Sequence, residues 1–132
     1  MILLVDTSIW IEFFKSKPSL DLHPLELAIE ERRVATCLPI LAEVLSGGIS
    51  SKMKPVLLDT FEAMIQIDLD WNSKTVWQEI VSLALKARIK GLGIPGLIDR
   101  MILLAAKESH STLWTLDQKL KRLALLEKLE ML

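Results

Sequence analysis

The 132-residue sequence predicts an α/β domain with a central, mostly parallel sheet of four to five strands and helices on both faces. Three observations lead there. Short apolar runs alternate with longer amphipathic stretches along the chain, and right-handed crossovers turn such alternation into parallel strands sandwiched by helices. The run "ILLV" at 2–5 is apolar without interruption, as expected of a strand buried on both faces. The length suits one core and not two, and no repeat or low-complexity tract divides it.

The first strand stops at "DTS", where a helix begins with Thr7 or Ser8 as its cap and Ile9, Trp10, Phe13 and Phe14 as its apolar stripe, before "KSKPS" breaks it. "LHPLELAIEERR" (22–33) reads as a second helix with Pro24 in its first turn, and "VATCL" (34–38) as a second strand. "PILAEVLSGG" is a short helix opened by Pro39 and stopped by Gly47 and Gly48. Residues 52–64 form a further helix and "IQIDL" (65–69) a third strand. From Asn72, read as an N-cap, to Lys90 runs a long amphipathic helix with Val76, Ile80, Leu83, Ala84 and Ala87 on its inner side and Gly91 at its end. "GLGIPG" turns the chain into the helix carrying Asp99. "TLWT" (112–115) follows as a fourth strand, central in the sheet with Trp114 in the core, then a helix from about Asp117 to Leu125 and a weak last strand near "LEML".

Composition excludes several classes. Sixteen basic against seventeen acidic residues leave a net charge of −1, so no global basic field advertises nucleic-acid binding and any such contact is local. The single cysteine, Cys37, rules out an intrachain disulfide and reads as a buried bystander, and the absence of a Cys/His cluster argues against structural zinc. "MILLVD" has no basic leader and its apolar run is too short for a signal peptide or a membrane span, so a cytoplasmic protein with no membrane contact is expected. A hydrophobic content of 51% with a mean hydropathy of +0.36 points to apolar surface covered by a second copy or another protein. Trp10, Phe13 and Phe14 are expected in the core or a dimer interface before they are base-stacking platforms. His23 and His110 have no partner at catalytic spacing.

The chemistry lies in the acids. In "GLIDRMILLAA" (96–106), Asp99 shares a helical face with Ile102, Leu103 and Ala106, and its neighbour Arg100 faces elsewhere. A carboxylate on an inward face costs several kcal/mol at least unless it is paired or binds a metal. Asp6 directly follows the first strand and Asp117 lies just beyond the fourth; Glu43 is in the first turns of the helix leaving the second; and a helix that feeds a parallel strand starts at the carboxyl edge, which places Asp99 there too. Ligand sites in such sheets form at that edge. Taken singly, Asp6 and Asp117 serve as well for helix caps and Glu43 for a surface residue. Together, four carboxylates without Cys or a suitably placed His call for a hard divalent cation, Mg²⁺ or Mn²⁺, as one or two ions. Two ions about 3.5–4 Å apart would activate a water and steady both oxygens of a cleaving phosphodiester. Arg88 and Lys90, just before the turn leading to Asp99, are candidate RNA-backbone contacts or complements of a helix carboxyl end. Arg100 is a candidate phosphate contact or a solvated neighbour of Lys107.

"LLVDTSIWIEFF", "LPILAEVLSG", "IDRMILLAAKE" and "LWTLDQKL", in that order across essentially the whole chain, resemble a PIN-domain ribonuclease, specifically the VapC-type toxin of type II toxin–antitoxin systems. The resemblance implies a single PIN-like nuclease domain over 1–132 with a three-layer fold. It further implies a Mg²⁺- or Mn²⁺-dependent endoribonuclease that hydrolyses RNA by metal-activated water, a homodimer restrained by a cognate antitoxin whose tail covers the acidic pocket. It carries catalytic and metal-ligand roles onto Asp6, Glu43, Asp99 and Asp117, and supporting hydroxyl roles onto Thr7, Ser8 and Thr115. The sequence departs from the family at Leu103 and Leu104, where many relatives have small residues, and lacks the further acid often found at the positions of Lys119 or Gly96, which bears on a second metal. Two rivals remain: a phospho-acceptor signalling domain, which wants two acids after the first strand and one ending the third, where only Asp68 and Asp70 answer; and a non-catalytic binding domain of the same fold.

Overall fold

The computed structural model describes residues 1–47 and 49–132. Among them, the strands are β1 (Leu3–Val5), β2 (Val34–Thr36), β3 (Ile65–Gln66) and β4 (Thr112–Trp114). The helices are α1 (Thr7–Phe13), α2 (His23–Glu30), α3 (Leu38–Ser46), α4 (Met53–Glu62), α5 (Lys74–Ile89), α6 (Leu97–Ser109) and α7 (Gln118–Leu126). The sheet has the order β3-β2-β1-β4 and every pairing is parallel, with Leu4 opposite both Ala35 and Leu113. Every residue of β1, β2 and β4 is buried. Successive strand side chains point to opposite faces, so both faces of the sheet are covered, as the α/β class requires.

Tertiary contacts redraw several boundaries. The third strand is cut to two residues because Asp68 turns the chain: its Oδ1 accepts from the Leu38 backbone N–H and from Trp71 Nε1, each at 2.8 Å. The fourth strand is an edge of the sheet and not a central strand. Trp114 is buried nonetheless, and the predicted last strand shrinks to one parallel bridge, Leu113 to Met131, that lies along the outer side of β4. Ser73, not Asn72, caps α5, its hydroxyl accepting from the Val76 N–H. The N-cap of α1 is Asp6, and neither Thr7 nor Ser8 caps it, because both hydroxyls are drawn to carboxylates. α3 ends at Ser46 with Gly47 at a negative φ, and the expected stop at Gly48 lies outside the described residues.

The core runs from β1 through α6, whose residues Met101–Ala106 are buried on every side. A helix apolar all round belongs at the centre of a domain, and here it is packed among α3, α5, α7 and β4. Leu103 and Leu104 fill space there at 0% and 3% exposure, so the larger side chains are accommodated in the core. Trp10 is enclosed as well, edge-on to Phe13 and Phe61 with centroids at 5.6 and 5.2 Å, while Phe14 stacks on it from the partly exposed side. Removing such a ring leaves a cavity the backbone cannot close. Trp10→Ala is therefore expected to cost about 3–5 kcal/mol in urea unfolding, and a loss below about 1 kcal/mol would place the ring outside the core.

Candidate functional site

β1 ends at the sheet's carboxyl edge, and the Asp6 N–H still donates to the Trp114 carbonyl at 2.9 Å, so Asp6 occupies the last rung between β1 and β4. Chain order reverses at that place: β2 and β3 extend from one side of β1 and β4 joins the other. Crevices of open parallel sheets form where the order reverses. Asp6 is 2% exposed. Its Oδ2 accepts from Thr115 Oγ1 at 2.6 Å and Ser8 Oγ at 2.9 Å. Each hydroxyl in turn accepts a backbone N–H at 3.0 Å, Asp117 N on Thr115 and Leu116 N on Ser8, so the hydroxyl protons are directed at Asp6. Its other oxygen, Oδ1, is buried with no hydrogen-bond partner. An ionised oxygen left so is costly unless something positive meets it.

Glu43 projects from α3, and its Oε1 accepts from Thr7 Oγ1 at 2.7 Å, tying α3 to the start of α1. Asp99 lies in the first turn of α6, whose N-cap is Gly96. One carboxylate oxygen from each of Asp6, Glu43 and Asp99 lies within 4.8 Å of the others. The ion pairs among the described residues, Lys15–Glu12, Arg33–Glu31, Lys86–Glu127 and Lys107–Glu127, involve none of these acids. Burial pushes the Asp99 carboxyl up to about 6, and the negative charges of Asp6, Asp117 and Glu43 push the same way.

The fourth acid stands apart. Asp117 is outside the three-acid group and is the N-cap of α7, its Oδ1 accepting from the Leu120 N–H at 2.8 Å. It remains close enough to act on Asp99 through its charge. Thus the structure gathers Asp6, Glu43 and Asp99, holds Asp6 with Ser8 and Thr115 and Glu43 with Thr7, and sets Asp117 at the margin. An all-oxygen donor set with one buried orphan atom fits a hard divalent cation.

A model of the PIN domain family matches residues 3–126. The chain belongs to the PIN-domain family. Among curated proteins, this PIN domain is 29% identical to Ribonuclease VapC32 of Mycobacterium tuberculosis over 119 residues, which cover 90% of this chain and 87% of that one. Among solved structures, it resembles the crystal structure of VapBC2 from Rickettsia felis bound to a promoter DNA fragment, with TM-score 0.71, 24% identity and coverage of 100% and 98% of the two chains. It also resembles VapBC-1 from nontypeable Haemophilus influenzae, with TM-score 0.68, 17% identity and coverage of 100% and 97%. These two likenesses are of fold.

The basic candidates lie elsewhere. Arg100 reaches Ile80 on α5, while Lys86 on α5 and Lys107 on α6 meet at the same oxygen of Glu127, so α5 and α6 run parallel. Arg88 and Lys90, exposed beyond Lys86, are therefore at the opposite end of the pair from Asp99, roughly 12 Å or more along the axis at 1.5 Å per residue. The expectation that they meet RNA beside the acids assumed a tight turn between the helices; the 90–96 linker instead runs back along their length. Arg100 is partly buried, its Nε donating to the Pro95 carbonyl at 3.1 Å and its Nη1 to the Ile80 carbonyl at 2.9 Å. Sequence reading missed that role, since both acceptors are main-chain atoms with no side-chain signature. It also missed a cavity of about 270 Å³ that Glu43 lines together with Ile11, Phe14, Lys15, Val44, Gly47 and Ile49. Cys37 is buried, and burial pushes its thiol up to about 12, which leaves it inert.

Because folding raises the Asp99 carboxyl from 3.8 to about 6, the folded chain holds a proton there more tightly than the unfolded chain does. Stability from this group therefore falls as pH rises through that window. A full shift of this size would correspond to about 3 kcal/mol, and partial exposure to solvent screens it to about 1 kcal/mol. Metal-free Asp99→Asn is expected to melt no lower than the native sequence above pH 6 and to lose any advantage below pH 4, as followed by thermal unfolding across pH. A large destabilisation at pH 7 would mean that Asp99 is held by a favourable partner instead.

Proposed function

We propose that this PIN domain is a divalent-metal-dependent endoribonuclease, the toxin of a toxin–antitoxin pair. One observation carries the reading: Asp6, whose Oδ1 is buried without a hydrogen-bond partner, offers a carboxylate oxygen within 4.8 Å of oxygens from Glu43 and Asp99, and none of the ion pairs among the described residues involves these acids. Asp6, Glu43 and Asp99 would hold Mg²⁺ or Mn²⁺, with Asp117 contributing from the margin and toward any second ion. An ion held there supplies an activated water and neutralises charge on the scissile phosphodiester. The chain's own part is positioning. Ser8 and Thr115 hold one oxygen of Asp6 and leave the other unbonded, and Thr7 holds one oxygen of Glu43. Uncompensated, the acids would repel an RNA backbone.

RNA as substrate is supported by the relative named a ribonuclease, and an antitoxin partner by the fold's likeness to VapBC complexes. The apolar cavity beside Glu43 offers that partner a seat next to the acids. A homodimer is supported by a stripe on α5 in which Trp77, Val81, Leu85 and Ile89 recur at helical spacing with exposures of 37%, 56%, 49% and 82%. No described helix is long and apolar enough to cross a membrane, in keeping with a cytoplasmic protein. The phospho-acceptor reading is disfavoured because Asp68 follows an edge strand two positions from β1 and is bonded to Leu38 and Trp71.

Purified chain freed of any partner and incubated with a mixed RNA pool is expected to cleave with Mn²⁺ and not with chelator. Asp6→Asn should lower that cleavage by more than about 100-fold while circular dichroism stays unchanged. Full activity in this variant would overturn the reading. Leu85→Glu is expected to convert a dimer to monomer in sedimentation, since a charge buried at the centre of an apolar interface costs several kcal/mol; an unchanged mass would remove α5 from the interface.

A further inference from the structure

The first turn of α6 sits badly for the task it has. Gly96 and Leu97 are exposed and Ile98 only half-buried, and the helix's continuous burial starts at Met101. Apolar packing therefore holds the body of α6 and not the turn that carries Asp99. That turn also faces a crowd of like charge, which pushes it outward. Yet Asp99 is kept with one oxygen inside the 4.8 Å group.

What resists is the neighbouring side chain. Arg100 leaves the same turn in another direction, and its guanidinium reaches two carbonyls in two separate segments, Ile80 in the middle of α5 and Pro95 in the linker. Pro95 is buried and Ile80 is 0% exposed, so both anchors belong to fixed parts of the fold. The planar fork, with donors at fixed angles, suits two acceptors at once, where an ammonium would act as a point charge. Arg100 also donates its own N–H to the Gly96 carbonyl at 3.0 Å, closing the turn that contains Asp99. The brace thus joins α5, the linker and the start of α6 at one point.

We infer that Arg100 is a positioning residue: by bracing the first turn of α6 against α5 and the 90–96 linker, it holds Asp99 in the metal-binding arrangement with Asp6 and Glu43. This rests on the reading of those acids as a divalent-cation site. The residue does not touch substrate, and its effect passes through Asp99.

Calorimetric titration of Mn²⁺ into the full chain tests this. Arg100→Gln is expected to weaken Mn²⁺ binding by about 10-fold or more, although no ligand has been removed. Arg100→Lys, which keeps the charge but not the fork, should restore part of it, leaving a loss of about three-fold. If Arg100→Gln does not accumulate as folded protein, Arg100→Lys carries the test alone. Leu123→Ala, in the α7 core, is the control for general destabilisation and is expected to lower the melting temperature with Mn²⁺ affinity unchanged. Native Mn²⁺ affinity in the Arg100 variants overturns the inference, as does an equal loss in Leu123→Ala. So does a defect confined to the salt dependence of RNA binding, which would make Arg100 a phosphate contact. A native chain that binds no Mn²⁺ would fail earlier, at the reading of the acid site itself.

Discussion

Carboxylates crowded on one half-buried sheet edge repel one another, and the surrounding structure is arranged to withstand that repulsion. Two unit charges within 4.8 Å interact by about 3 kcal/mol at an effective dielectric of 20. Asp99 sits at a helix amino end, where the backbone dipole favours a negative charge by only about 0.3–1 kcal/mol. Burial and like charge therefore win, and the Asp99 carboxyl rises where the helix dipole alone would have lowered it. The hydroxyls that would ordinarily cap α1 are turned to the same purpose, binding Asp6 and Glu43.

The topology explains why the crowding occurs between β1 and β4. These strands are neighbours although their hydrogen-bonded partners Asp6 and Thr115 are 109 positions apart. The reversal of strand order opens a crevice there that side chains from α1, α3 and α6 can enter. The parallel run of α5 and α6 then carries the basic end of α5 away from the crevice, and none of the ion pairs among the described residues involves Asp6, Glu43 or Asp99. A site built this way concentrates negative charge at one place on the sheet edge.

Much of this was legible in the residues. The uninterrupted apolar run "ILLV" gave the first buried strand, and the acids just beyond it and just beyond "TLWT", Asp6 and Asp117, marked the carboxyl edge because the end of a strand lies at that edge. Asp99 stood out through helical periodicity alone. The parts that escaped are those decided by distant main-chain atoms. Nothing near Asp68 announces that it will accept from Leu38 and cut β3 short, and nothing near Arg100 names the carbonyl of Ile80. Asp117 illustrates the limit most clearly: its position at the edge was readable, but whether it faced the other acids or its own helix depended on how α7 leaves the sheet.

The sequence by itself determined which segments are strands and helices and which acids end up at the carboxyl edge, because burial is written into local periodicity and strand ends. Only the tertiary structure decided which oxygen of Asp6 is left unbonded, that α5 and α6 lie parallel, and that β4 is an edge strand. Those outcomes depend on hydrogen bonds between residues far apart in the chain. Their geometry is fixed by packing and leaves no periodic trace.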